Sequence, residues 1–153
     1  MLANAIKKRL SKEENQKGFT LIELLAVIVI LGIIAVIAIP LIGNIINKSK
    51  DDSDLSTANQ VYNAARLYIV SEKGGSFAST DRATITLANL QSGGFLDDPI
   101  YLPSSKVELT GITVNFDDNG KLTDPSGGKA VTLTPETGTA VSFSATQVLQ
   151  VKK

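Results

Sequence analysis

"KGFTLIELLAVIVILGIIAVIAIP", residues 17–40, decides how this chain is read. Glu23 stands at the threshold of a run that carries no other charge until Lys48. From Leu24 to Gly43 there is no charged or strongly polar side chain. As a helix rising about 1.5 Å per residue, such a stretch spans roughly 30 Å, the thickness of a bilayer core. A carboxylate at its edge is expensive to take into lipid, so either the segment stays out of the membrane or Glu23 has a task.

The flanks give the span a direction. Residues 1–18 hold Lys7, Lys8, Arg9, Lys12 and Lys17 against Glu13 and Glu14, a net of +3. The remainder holds ten basic and thirteen acidic side chains, so a chain of zero net charge is divided into a basic leader and an acidic body. Basic residues ahead of an apolar span keep that end in the cytoplasm and send the carboxyl-terminal part across. The chain has no Cys and no His, which removes thiol nucleophiles, disulfides, zinc-finger sites and histidine acid-base chemistry together. Ser and Asp remain without a base to activate a nucleophile, so we expect neither an enzyme nor a cofactor.

Four zones follow: a basic leader (1–18), an apolar span (19–47), an amphipathic continuation (48–73) and a short-strand region (74–153). In the third, Leu55, Ala58, Tyr62, Ala65 and Ile69 recur at intervals of three and four, the spacing of one helical face. No breaker cluster separates the second zone from the third, so one helix is predicted from about Thr20 to Glu72, stopped by Gly74-Gly75. Thr86 is placed to cap a short helix through Leu87, Ala88 and Leu90 that ends at Gly93-Gly94. "KVELTGITVNF" (106–116), "KAVTLT" (129–134) and "TAVSFSATQVLQV" (139–151) alternate in a strand pattern. They predict an antiparallel sheet of three or four strands covered by the 48–73 helix stripe, an α+β head spanning 48–153.

Two general explanations of the amino terminus compete with a specific one. A secretory signal peptide has a shorter apolar core, and "AVIAIPLIG" (35–43) is a poor cleavage site. A plain signal anchor accounts for span and topology and leaves Glu23 and Gly18-Phe19 unexplained. The whole pattern of basic leader, Gly18, Phe19, an apolar span broken only by Glu23, and Pro40 resembles the amino terminus of a type IV pilin precursor. The resemblance is close over residues 7 to about 70 and one of layout beyond.

That resemblance implies a pilin fold, with the apolar half of a long amino-terminal helix protruding and its amphipathic half packed on the sheet. It implies a prepilin peptidase that removes residues 1–18 by cutting between Gly18 and Phe19 and methylates the new Phe19 amine. Glycine suits such a site, because backbone without a side chain enters a narrow cleft. It further implies that Glu23 meets the positive Phe19 amine of a neighbouring subunit in an apolar filament core, as a register and recruitment device. Without the resemblance, Glu23 reads as an acidic residue favoured by the helix macrodipole. Pro40 cannot donate a hydrogen bond to Val36 and is expected to kink or locally open the helix, helped by Gly32 and Gly43; a tolerated membrane-helix proline is the competing reading.

In the head, Asp51, Asp52 and Asp54 fail the calcium-loop template, since Thr57 stands where Gly is needed and Asn63 where the bidentate Glu is needed. A solvated helix face is the expectation, and no metal site is assigned. Asp117-Asp118-Asn119-Gly120 reads as a hairpin turn in which Asn-Gly supplies the positive φ angles. The function expected is that of a major pilin. The precursor sits in the cytoplasmic membrane as a single pass with its amino terminus inside. The processed chain is polymerised by a platform protein and an assembly ATPase into an extracellular helical homo-oligomer. A pseudopilin of a competence DNA-uptake or type II secretion system is the alternative. Direct nucleic-acid binding is not expected from an acidic mature chain whose Lys129 and Lys152-Lys153 make only a small basic patch.

Overall fold

The computed structural model describes residues 1–13 and 18–150. Parts of the leader, Lys17 among them, the last residue of the 139–151 run and Lys152-Lys153 of the basic patch lie outside the described residues. The chain divides into two compact units, Met1–Ile45 and Ile46–Lys153.

The first unit contains helix α1, Leu2–Glu13, and the beginning of helix α2, Leu21–Glu72. Between Leu21 and Lys50 no residue is buried. Pro40 lies inside α2, which is helical on both sides of it. One missing donor and a crowded turn weaken the helix at that step.

In the second unit, α2 buries a stripe of Asp54, Thr57, Ala58, Val61, Tyr62, Ala64, Ala65, Tyr68 and Ile69. The predicted stripe is there, with Leu55 half-buried at its edge. Alanine at 58, 64 and 65 brings the helix backbone close to its cover, while Val61 and Ile69 supply volume and are fully buried. Burying one such branched side chain stabilises by about 1.5–3 kcal/mol. Past Glu72 the Ile69 carbonyl accepts from the amides of both Lys73 and Gly75, with Gly74 and Gly75 at positive φ. The predicted glycine stop is thus a set of backbone hydrogen bonds that residues with a Cβ adopt poorly.

Opposite the helix lies a four-stranded antiparallel sheet in chain order: β1 Tyr101–Leu102, β2 Val107–Val114, β3 Val131–Pro135 and β4 Val141–Phe143. The β2–β3 register pairs Ile112 with Leu133 and Val114 with Val131, and it slips at a bulge between Leu109 and Gly111. Val131, Leu133 and Pro135 alternate into the core on β3, the period-2 pattern of a sheet with one covered face. Aromatic contacts join the layers, with Tyr62 5.8 Å and Phe77 5.2 Å from the Phe116 ring and Tyr68 edge-on to Phe95.

Short helices complete the head: α3 Ser79–Arg82, α4 Leu87–Ser92 and α5 Ala145–Leu149. At the start of α4 the Thr86 hydroxyl accepts from the Asn89 amide at 3.2 Å, as predicted. Its end is a Schellman motif, with the Phe95 amide on the Leu90 carbonyl and Gly94 at φ +73°.

The 139–151 run is corrected, because its strand stops at Phe143. Ser144 then accepts from the Gln147 amide while the Gln147 side chain accepts from the Ser144 amide, a capping box that starts α5. The motif Ser-x-x-Gln outweighs the alternation around it. The acidic cluster is corrected in part: Asp51 and Asp52 are exposed, but Asp54 is 3% exposed and accepts from the Ser104 amide at 2.9 Å. In the 117–120 turn Gly120 has positive φ and Asn119 does not. The Asp117 carboxylate accepts from the amides of Asn119 and Lys121, so an Asx turn with one left-handed glycine replaces the expected Asn-Gly pair.

Candidate processing and assembly site

Gly18, Phe19 and Thr20 precede α2 without helical structure and are exposed. No atom comes within 4 Å of the position a Cβ on Gly18 would occupy, and Phe19 is 80% exposed. The Gly18–Phe19 peptide bond therefore lies in open, irregular backbone a short step ahead of a helix. A peptidase that binds its substrate extended needs that local geometry.

The helix start is built by Thr20 and Glu23. The first amides of a helix have no partner inside it. Here the Glu23 amide donates to the Thr20 hydroxyl at 3.3 Å. In return Glu23 Oε2 accepts from the Thr20 amide at 2.7 Å and from its hydroxyl at 2.9 Å. This is a reciprocal capping box, with the carboxylate also favoured by the positive end of the macrodipole. It fixes where α2 begins and holds Glu23 beside the helix end. Thr20 is the residue that sequence reasoning passed over, although Thr-x-x-Glu ahead of an apolar run is the signature of such a start.

Beyond Glu23 the helix surface is aliphatic on every side. The large side chains from Leu24 to Ile46 are about half exposed or more, and none of the most apolar eighteen residues is buried. Isolated exposed aliphatics are ordinary, but a continuous sleeve of this length calls for lipid or protein around it. A Cβ added at Gly32 or Gly43 would meet no side chain or other element within 4 Å, so nothing in this chain's own packing requires glycine there. The structure thus brings Gly18, Phe19 and Glu23 together at the head of α2 and sets Gly32 and Pro40 apart along its apolar half.

The head offers shallow grooves. One, of about 440 Å³, is lined by Asp52, Leu55, Ser56, Asn59, Gln147, Val148 and Gln150. Another includes Asp117, Lys121, Asp124 and Thr146. Neither joins a Ser to a Lys and an Asp. Arg82 is half-buried, donates to the Phe116 carbonyl at 2.8 Å and pairs with the exposed Asp118 carboxylate at 2.9 Å, where water screens the pair and keeps its energetic weight small.

A family profile described as "Prokaryotic N-terminal methylation motif" matches residues 15–39. The chain is 36% identical over 112 residues to the type IV major alpha-pilin of Moraxella bovis, 69% of this chain and 64% of that protein. It is 33% identical over 129 residues to a type IV major fimbrial protein FimA of Dichelobacter nodosus, 80% of this chain and 79% of that protein. A second FimA from Dichelobacter nodosus is 43% identical over 60 residues, 38% of its length. The chain thus spans 38% to 79% of the length of these relatives, and for two of the three it covers less than two thirds. No solved structure matches the chain significantly. Identity is higher in the shortest match than in the two longer ones.

Proposed function

Since the chain belongs to the type IV pilin family, we propose that it is the major structural subunit of a type IV pilus, processed from a membrane-held precursor. The observation that carries the reading is the aliphatic sleeve of α2, bare on all sides, beginning directly after an exposed Gly18–Phe19 bond. A sleeve of this kind has two stable homes. In the precursor it is surrounded by acyl chains, with the basic leader held on the cytoplasmic side. In the filament it is surrounded by copies of itself. The transfer exchanges one apolar surrounding for another, which keeps extraction from the bilayer feasible.

In this reading, residues 1–18 are the leader, 19–47 the span that becomes filament core and 48–153 the head. A prepilin peptidase cuts between Gly18 and Phe19 and methylates the Phe19 amine. Cleavage creates a positive charge four residues from Glu23. Within one subunit Glu23 is occupied by Thr20, whose two donors turn the carboxylate along the helix end. In the filament the Phe19 amine of a neighbour becomes the charged partner that lets the carboxylate sit in an apolar core. Removing one member of such a pair is far more damaging than the pair is stabilising, so it acts on register and recruitment. Gly32 lets a neighbouring helix approach closely, and Pro40 marks the weakest backbone step of the sleeve. Platform protein and assembly ATPase are the partners of polymerisation, and nucleic acid is not a direct one.

Intact mass and amino-terminal sequencing of protein sheared from whole cells test the proposal. The expected product starts at N-methylated Phe19 and lacks residues 1–18. A chain that starts at Met1 and is recovered only from membranes would refute it.

A further inference from the structure

The leader is itself structured, since α1 runs from Leu2 to Glu13. A helix of twelve residues is marginal in water without a surface to pack on. Leu2 is 81% and Ile6 55% exposed, one turn apart on the same side, and Lys7 beside them is exposed as well. In sequence, Leu10 continues the spacing of Leu2 and Ile6, and the segment carries Lys7, Lys8, Arg9 and Lys12 against Glu13 alone. Apolar residues at i, i+4 and i+8 with an excess of basic residues are the composition of a helix that lies in a membrane interface.

The occupant of that face is indicated by charge and by reach. Basic groups are complementary to an acidic lipid surface and not to a neutral one. Six residue steps separate Glu13 from Phe19, at most about 20 Å of extended chain, so α1 cannot travel far from the point where α2 enters its apolar surroundings. We propose that α1 is a membrane-surface helix of the precursor. It docks on acidic lipid headgroups of the bilayer that takes up α2, with Leu2 and Ile6 among the acyl chains. The inference rests on the precursor reading above. Its consequence is that the Gly18–Phe19 bond is tethered from both sides at headgroup depth, where a membrane-embedded peptidase meets it, and that cleavage leaves α1 behind on the cytoplasmic surface.

The absence of cysteine in the chain allows single spin labels to be placed in the full precursor, at Ile6→Cys, Lys7→Cys and Val29→Cys. Each variant is reconstituted in vesicles of mixed phosphatidylcholine and phosphatidylglycerol, and in pure phosphatidylcholine. Collision rates with oxygen and with a water-soluble nickel chelate report depth. In the acidic vesicles, position 6 is expected to favour oxygen and position 7 nickel. In neutral vesicles the docked-to-undocked ratio is expected to fall more than about tenfold, since each basic group near an acidic surface is worth about fivefold. High salt should act in the same direction.

Equal nickel access at positions 6 and 7 in acidic vesicles, with position 29 still oxygen-favoured, overturns the docking of α1 and leaves the membrane precursor intact. Equal shielding of position 6 in both lipids overturns the acidic-lipid partner. Nickel access at position 29 means that the span itself is not inserted, and the docking falls with it.

Discussion

Replacing Asp54 tests whether the head depends on a carboxylate that the sequence places in a solvated cluster. Asp54 sits on the buried stripe of α2 and accepts from the Ser104 amide, on the connection between β1 and β2, at 2.9 Å. In Asp54→Ala that amide loses a charged acceptor, and the side-chain oxygens are replaced by space. A hydrogen bond to a charged group contributes about 1.5–3 kcal/mol, and Ser104 is only half-buried, so water recovers part of it. The expected loss is about 1.5–2 kcal/mol. Asp54→Asn keeps an oxygen in place and should lose about half as much. Near-ultraviolet circular dichroism can follow urea unfolding of the full chain in detergent, because Tyr62 and Tyr68 are buried in the head. With a urea dependence of about 1.5 kcal/mol per molar, Asp54→Ala should lower the midpoint by roughly 1 M. A midpoint equal to that of the parent chain would show that the contact contributes nothing and that Asp54 is tolerated where it lies, whereas Asn as damaging as Ala would show that the charge, and not the retained oxygen, carries it.

Three further outcomes follow from particular residues. Gly120→Ala should destabilise the head by about 2–4 kcal/mol, since its φ is +75° and a Cβ would lie 2.6 Å from the Phe77 ring; an unchanged urea midpoint refutes that geometry. Ser144→Ala should cost about 1 kcal/mol through the lost capping box of α5, whereas Ser144→Asp, which keeps a capping acceptor, should be nearly neutral. Equal losses in the two variants would point to packing and away from the cap. Glu23→Gln should leave cleavage after Gly18 intact while sheared filaments fall by more than about tenfold, the loss of a charged partner of about 1.4 kcal/mol or more per subunit; wild-type filament yield from this variant would remove Glu23 from assembly.

Much of the architecture was legible because it rests on local rules. The α2 boundaries, the Gly74-Gly75 stop, the Thr86 cap and the cores of β2 and β3 each follow from residue types within a few positions. The misreadings have a common form. After Phe143 two local signals compete, alternation and a capping box, and only the arrangement of the head decides between them. Ser144 is held as a cap while the Asp124 carboxylate accepts from the Ala145 amide at 3.0 Å, a contact from twenty-one residues away. Strand β1 is two residues long and carries no periodicity of its own; it exists because β2 is there to pair with it. At the processing site, Gly18, Phe19 and Glu23 stood out by composition. Thr20 did not, because a threonine ahead of a helix is ordinary until its hydroxyl and amide are both seen on Glu23.

The sequence by itself determined the long helix, its change from an aliphatic sleeve to a one-sided stripe, the orientation of charge around it and the family to which the chain belongs. These depend on the spacing of apolar and charged side chains along the backbone, which no fold is needed to reveal. Only the tertiary structure decided which polar groups of the head are enclosed. Burial and hydrogen-bond partnership are properties of what the rest of the chain brings alongside: Ser104 to Asp54 across fifty residues, Phe77 over Gly120, and Asp124 to the start of α5.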